Sequence, residues 1–308
     1  MVTTSLSSST ETSFHLNFFV FHPLASAPVR GILTQMTLTV RRTLLTTLLI
    51  PALGGTAASV MAWTAWFQGE YVYELPSFTA RWWYSLRPAE NTDLVWAMAG
   101  ITFLSVFPLL SEIVLRKRFG RSPSPEIFFL RFFLLTLPLQ AGRLLLPLVS
   151  TGFLTPSWGL TITRIAWFAR FLGISSLLSI SIFSSDMPFR RSGSVLGMGA
   201  LAAMGIAVMM PLDITQPLGN LLFLTGTKTA LALVTVSIEV LTVIALAGSA
   251  YLQHNSRYYL LTVSLLMVVL GTDLVFFISA PLIIPGAIFL LVGVIGFAEI
   301  IRKIYQWI

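Results

Sequence analysis

The chain has 308 residues, 56% of them hydrophobic and only 10% charged, a balance that excludes an ordinary soluble domain and points to a polytopic membrane protein. The formal net charge of +7 is read as basic residues flanking membrane spans, not as a nucleic-acid surface. With no cysteine, the chain has no disulfide, thiolate metal site or cysteine nucleophile.

Residues 1–35 are rich in Ser and Thr at the start and contain FHLNFFVFHPLASAP. They precede Met36, from which MTLTVRRTLLTTLLI has the basic-then-apolar form of an amino terminus in its own right. Two readings of this region stay open. Translation could begin at Met36, or Arg41 and Arg42 could head a signal peptide cleaved after Val60-Met61-Ala62. The apolar run continues through Trp63 to Phe67, as a full span requires, which favours the uncleaved form. Cleavage would leave seven spans. The expected organisation is a flexible cytoplasmic segment over 1–43, a single transmembrane domain over 44–302 and a short cytoplasmic tail over 303–308.

Eight apolar segments can each cross a hydrocarbon core of roughly 30 Å. They lie near 44–66, 94–115, 126–149, 161–184, 194–212, 227–250, 258–279 and 282–302, which predicts an all-α polytopic helix bundle. Lys and Arg accumulate on the cytoplasmic side. Arg30, Arg41, Arg42, Arg116, Lys117, Arg118, Arg121, Arg190, Arg191, Arg257, Arg302 and Lys303 all fall in loops of one side, against Arg81 and Arg87 opposite. Both termini are therefore expected to be cytoplasmic, with the cell (plasma or inner) membrane as the location. Ser124-Pro125-Glu126 is an N-cap, first-turn proline and first-turn acid that starts span three, and Asp93 can open span two. Small residues at four-residue spacing, Gly54, Ala58 and Ala62 in span one and Gly199, Ala203 and Ala207 in span five, are expected to face other helices. Between spans one and two, the external loop 68–93 carries Tyr71, Tyr73, Trp82, Trp83 and Tyr84, suited to the headgroup zone or to a lid over an outward cavity.

Charges inside the spans are the most informative residues, because each opposes insertion by roughly 2.5 to 3.5 kcal/mol at a helix centre. At about 1.5 Å per residue, Arg143 falls in the outer half of span three and Arg170 near mid-depth in span four. Glu239 and Asp273 fall at similar depth in the outer half of spans six and seven. At about 100° per residue, Thr136, Gln140 and Arg143 share a face, Thr163, Arg170 and Ser181 align, and Lys228, Thr235, Glu239 and Thr242 form one stripe. Such faces avoid lipid, so Gln140, Arg143, Arg170, Lys228, Glu239 and Asp273 are expected to form a buried polar network, with Arg143 paired to Glu239 or Asp273. Balanced charges of this kind can simply specify how helices assemble, or they can line a pocket that binds or conducts a ligand. Lys228 and Arg164 lie nearer the outer mouth, where they would attract an anion or meet lipid phosphates. Glu112 with Arg116 and Glu299 with Lys303 are read as i,i+4 pairs, and Arg131 as a snorkelling residue.

Catalytic signatures are missing: the sequence has no P-loop lysine motif, no HExxH and no GxSxG. His15, His22 and His254 lie outside the span interiors, which excludes a haem held by paired histidines. Glu239 and Asp273 lack the motif of a proton-sharing hydrolase pair. No cofactor, metal or nucleic acid is expected, and the reading points away from an enzyme. Three functional classes fit, in this order: a receptor-like or accessory protein binding a ligand or partner, a transporter of a small anionic or amphipathic solute, and a lipid-modifying enzyme. The expected partners are the bilayer, a small anionic or lipid-like ligand, and a membrane or cytoplasmic protein. The topology is tested with alkaline phosphatase fusions, expected to be active after residue 155 or 215 and inactive after 122 or 308. High activity at the carboxyl end would overturn the eight-span arrangement.

Overall fold

The computed structural model describes residues 38–69, 76–80, 85–119, 124–150, 152, 154–185, 191–277 and 280–305. Among the described residues, eight helical spans are long and apolar enough to cross a membrane, and the chain is an all-α multi-pass membrane bundle. Helix α1 is Leu38–Phe67 and α2 is Asp93–Phe119. The third span is composite, made of α3 (Pro125–Thr136), a 3-10 segment (Leu137–Leu145) and α4 (Leu146–Ser150). There follow α5 (Pro156–Phe183), α6 (Ser192–Met209), α7 (Lys228–Leu252), α8 (Ser256–Phe277) and α9 (Ile283–Tyr305). Helix α1 starts ahead of residue 44 and places Arg41 and Arg42 in its first turns. Long basic side chains can reach the interface from there. The Met36 start falls outside the described residues, as do Tyr71, Tyr73, Trp82, Trp83 and Tyr84 of the expected aromatic loop.

Ser124 caps α3, its Oγ accepting from Ile127 N at 3.4 Å, with Pro125 at the first helical position. Glu126 then ties the start of the third span to the end of the last on the basic side. It accepts from Ser124 Oγ at 2.7 Å and from the Tyr305 hydroxyl of α9 at 3.0 Å. Two expected i,i+4 pairs are replaced, Glu112 pairing across helices and Glu299 both across and within its own. Glu112 of α2 receives Arg131 of α3 at both oxygens, Nε to Oε2 at 2.9 Å and Nη2 to Oε1 at 2.5 Å. Glu299 pairs with Arg118 of α2 and with Arg302, at 2.6 Å to the latter, instead of Lys303. A planar guanidinium meeting a carboxylate edge-on makes the stronger, more directional contact.

Close packing depends on glycine at a few points. Helices α8 and α9 form a hairpin whose backbones touch: a Cβ on Gly293 would lie 2.8 Å from Val268 N and 2.9 Å from Ser264 O. Gly271 and Gly286 meet the opposite backbone in the same way. In α6, Gly199 lies against Ser175 of α5, and Ala203 and Ala207 are buried. In α1 Ala62 of the expected set is buried, but the face packs at Gly55 and not at Gly54. A Cβ on Gly55 would sit 2.8 Å from Pro138 O and 3.0 Å from Ala141 Cβ, whereas Gly54 meets nothing within 4 Å. Ala52, Ser59 and Ala62 share the Gly55 face and are buried. With two adjacent glycines, spacing alone could not fix the phase.

The outer side, opposite the basic flanks, carries two short antiparallel hairpins. Strand β1 (Phe78–Ala80) pairs with β2 (Leu86–Pro88), and β3 (Leu212–Pro217) pairs with β4 (Phe223–Thr225) through a bulge between Asp213 and Pro217. Asp213 accepts from Thr215 N at 2.9 Å and its hydroxyl at 2.6 Å, which holds the exposed carboxyl below its ordinary range. A bridge between Phe78 and Leu218 joins the hairpins, and Gly219 N donates to Phe78 O at 3.2 Å. Arg87 holds this roof to α2 through Asp93, at 2.5 Å. The backbone contact between α8 and α9 is tested by Gly293→Leu, expected to lower detergent melting sharply, beside Gly54→Leu, expected to leave it within a degree or two. Equal tolerance of both would show that the hairpin does not depend on the close approach.

Candidate functional site

The site begins with two prolines. In an α-helix Pro138 N would donate to Leu134 O and Pro147 N to Arg143 O, but proline has no N–H. Each carbonyl instead takes the residue just before the proline: Leu137 N donates to Leu134 O, and Leu146 N to Arg143 O. Those i+3 bonds bracket a nine-residue 3-10 segment, long for this conformation. Winding at about 120° per residue brings i and i+3 into register. Gln140 and Arg143 are therefore eclipsed, and Arg143 Nη2 donates to Gln140 Oε1 at 3.2 Å.

Tighter winding also redirects Arg143. Over the steps from Leu137 to Arg143 it accumulates about 120° more than an α-helix would. The guanidinium then faces the end of α8, where the last carbonyls have no partner within their own helix. Arg143 Nη1 donates to Phe276 O at 3.2 Å and to Asn220 O at 3.4 Å, and its plane lies 4.8 Å from the Phe276 ring centroid. Asn220 Nδ2 donates to the next carbonyl, Phe277 O, at 3.4 Å. A cation at a helix C-terminus also complements the helix dipole. Arg143 thus serves as the C-terminal cap of a neighbouring span. The expected pairing with Glu239 or Asp273 is corrected: both acids form their ion pairs with Arg170.

Arg170 of α5 is buried and donates through Nη2 to Glu239 Oε1 of α7 at 2.5 Å, and it pairs with Asp273 of α8 through the same nitrogen. The Phe276 ring is near both guanidiniums, its centroid 5.6 Å from that of Arg170, and Trp167 meets it in a T-shaped contact at 5.3 Å. Helices α5 and α7 meet again where Ser181 Oγ donates to Thr242 O at 2.7 Å, and Ser176 Oγ links α5 to Phe129 O of α3 at 2.7 Å. Gln140, Arg143, Arg170, Glu239 and Asp273 therefore lie buried in one region. Lys228 does not join them. It begins α7 at the outer edge and is exposed, because its stripe on the helix is shared with Glu239 but its depth is not.

Asn220 is the residue that sequence reasoning missed. The turn joining β3 to β4 dips into the bundle, and Leu218, Asn220, Leu221 and Leu222 are all buried. Irregular backbone is tolerated at such a place only when enclosed by protein. Gly219 fits here because a Cβ would lie 2.7 Å from Thr79 Oγ1. Leu221 has φ of 59°, in the left-handed region, which costs a bulky residue on the order of 1–3 kcal/mol. The available signal was Gln216-Pro217-Leu218-Gly219-Asn220, a run of turn formers inside an apolar stretch.

Two polar atoms beside Arg143 point elsewhere. Gln140 Nε2 and Asn220 Oδ1 are buried and have no hydrogen-bond partner among the described residues. Their orientation is not arbitrary. Arg143 can only donate, so it fixes which end of the Gln140 amide faces it, and Phe277 O can only accept, so it fixes that of Asn220. One free donor and one free acceptor thus flank the guanidinium.

No family model matches the chain. Over 112 residues it is 36% identical to an uncharacterized protein of Treponema pallidum (strain Nichols), a stretch that makes up 36% of this chain and 31% of that protein. The chain therefore spans about a third of the length of the curated relative it matches.

Arg170→Leu leaves two buried carboxylates without their cation and is expected to cost about 3–5 kcal/mol of stability. Adding Glu239→Gln and Asp273→Asn should return part of that loss, because the three side chains form one coupled unit. Melting of the purified protein in detergent measures this, and strict additivity would refute the shared cation.

Proposed function

We propose that the protein is a receptor-like or accessory membrane protein that binds a small ligand in the outer half of its bundle, beside Arg143 and beneath the β3–β4 turn. The observation that carries this reading is the oriented pair of free groups, Gln140 Nε2 and Asn220 Oδ1, beside ion pairs and carbonyl caps that neutralise the surrounding charges without closing every hydrogen bond, Arg170 Nε and both Asp273 oxygens having none among the described residues. A network that served assembly alone would close its hydrogen bonds internally, since each buried unsatisfied group costs about 1–3 kcal/mol. The charges of Arg143 and Arg170 balance those of Glu239 and Asp273, and Lys228 is exposed at the edge. An anionic group would therefore add an uncompensated charge. Of the anionic and lipid-like ligands expected from the sequence, the lipid-like kind fits better, with a neutral end that both accepts and donates, such as a hydroxyl or primary amide on an amphipathic molecule.

A second reading, transport of a small amphipathic solute, draws on the interruption of the third span by a 3-10 segment between prolines. Transporters place their binding sites at discontinuous helices of this kind. Binding and uptake are separated by reconstituting the protein and presenting radiolabelled glycerol, acetamide and short-chain monoacylglycerol beside acetate and phosphate. Saturable binding of a neutral probe, lost in Gln140→Leu and Asn220→Leu without vesicle accumulation, is the expected result. Accumulation against control vesicles would favour transport, and preference for acetate or phosphate would reject the neutral ligand class.

A further inference from the structure

We propose that the Leu137–Leu145 segment is a two-state latch: wound as a 3-10 helix it holds the β3–β4 turn closed through Arg143, and rewound as an α-helix it releases that turn and opens the polar core to the outer side. That the opened core receives a ligand rests on the reading above; the movement itself does not.

Four observations meet in this inference. The segment is bounded by Pro138 and Pro147, and between them each N–H can serve the carbonyl three or four residues back. The two windings differ by two hydrogen bonds, since α-helical winding leaves Leu134 O and Arg143 O without the donors that the prolines lack, so the 3-10 form is the resting one; they also differ in direction. Rewinding would turn Arg143 by about 120° and shorten the segment by roughly 4–5 Å, from the difference of about 0.5 Å in rise per residue.

The second state also offers the cation a destination. In α-helical winding Arg143 falls within about 20° of Thr136, and Thr136 packs against α5, where a Cβ on Gly173 would lie 3.0 Å from its Oγ1. Gly173 is one turn from Arg170 and the two carboxylates it holds. Arg143 would thus exchange backbone carbonyls for the neighbourhood of two acids, and no charge need be stranded in lipid. This is also the arrangement that uniform α-helical phase predicts from the sequence.

The remaining observations concern what the latch holds. Asn220 O receives one hydrogen bond from Arg143, while the turn behind it is tightly folded, Leu218 N donating to Leu222 O at 2.8 Å. It contains Leu221 in the left-handed region with a fully buried side chain. A strained turn kept inside the bundle needs contacts that hold it there. At the inner end of the segment, α1 meets Pro138 O and Ala141 Cβ at Gly55, so no side chain of α1 stands against the segment at that position.

The chain lacks cysteine, so introduced thiols report position without background. Leu222→Cys reports the turn and Leu104→Cys, also fully buried, reports α2. Both are placed in nanodisc-embedded full-length protein and treated with a membrane-impermeant maleimide, with no solute added. In the otherwise unaltered chain both should label slowly. Arg143→Gln, which removes the latch, and Pro138→Ala with Pro147→Ala, which favours continuous α-helix, should each raise labelling at Leu222→Cys at least tenfold and leave Leu104→Cys unchanged. Should Arg143→Gln expose Leu104→Cys as well, Arg143→Lys takes its place, since it keeps the charge but not the planar guanidinium that reaches Asn220 O, Phe276 O and Gln140 together. Protection of Leu222→Cys in both backgrounds overturns the latch. A rise with the arginine variant alone makes the segment a static brace, a rise with the proline pair alone removes Arg143 as the holder, and exposure of Leu104→Cys by the proline pair makes the segment part of the folded core; each rejects the proposal. Opening without binding of any neutral probe would instead leave the latch standing and remove the ligand reading.

Discussion

A backbone carbonyl that leaves the helical ladder inside an apolar bundle must be given a donor, and the outer half of this protein is organised by that requirement. Three interruptions occur there at once. Pro138 and Pro147 remove donors from the third span, and α8 ends at Phe277 with its last carbonyls enclosed by neighbouring side chains. The prolines are answered locally, by i+3 bonds from the residues before them. The end of α8 is answered from a distance, by Arg143 at Phe276 O and by Asn220 at Phe277 O. One consequence produces the other, because the 3-10 winding that accommodates the prolines also turns Arg143 toward the carbonyl it caps.

The residue type follows from the task. A lysine could donate along a few directions from a compact, strongly hydrated head, whereas the guanidinium spreads its charge over a plane and donates from separate nitrogens. Arg143 uses that plane to reach two carbonyls, the Gln140 amide and the Phe276 ring. Arg170 holds two carboxylates from different helices through one nitrogen while lying near the same ring. Phe276 is thus near both cations, and Trp167 meets it in a T-shaped contact. Positive charge flanking an aromatic face is favourable where water is excluded, so the apolar and charged parts of this region stabilise one another.

Much of this arrangement can be read from the sequence, and the failures have specific causes. Apolar length and the asymmetric placement of lysine and arginine fix the eight spans, since both follow from bilayer thickness and charge alone. The inward turn of Glu239, Asp273 and Arg170 follows from helical phase, because α5, α7 and α8 are regular through those residues. Arg143 defeats the same reasoning because its helix is not regular: the prolines were visible, but the change in winding between them was not. Lys228 shows the complementary limit, a correct stripe on α7 at the wrong depth. Glu112 and Glu299 chose partners on other helices, which no i,i+4 rule contains. Asn220 sits in what reads as a connecting loop, and only the folded chain shows that loop turning inward.

Intramembrane charge is often taken as the mark of function, but in this protein the charges are the part with a sufficient structural account. Arg143 caps a helix, and Arg170 neutralises two acids that would otherwise be unpaired; both roles would be needed in a bundle that did nothing else. Their hydrogen bonds are not all closed, since Arg170 Nε and both Asp273 oxygens have no hydrogen-bond partner among the described residues, and two neutral groups are left open in the same way. Gln140 and Asn220 each satisfy the charged or backbone partner that orients them and hold their second polar atom toward no group among the described residues. A leucine at Gln140 would fill the volume without an unmet donor, and a backbone turn could be made without the side-chain oxygen of Asn220. Hydrogen-bonding capacity that the fold does not use therefore collects under a strained turn and beside the 3-10 segment that turns Arg143 toward it.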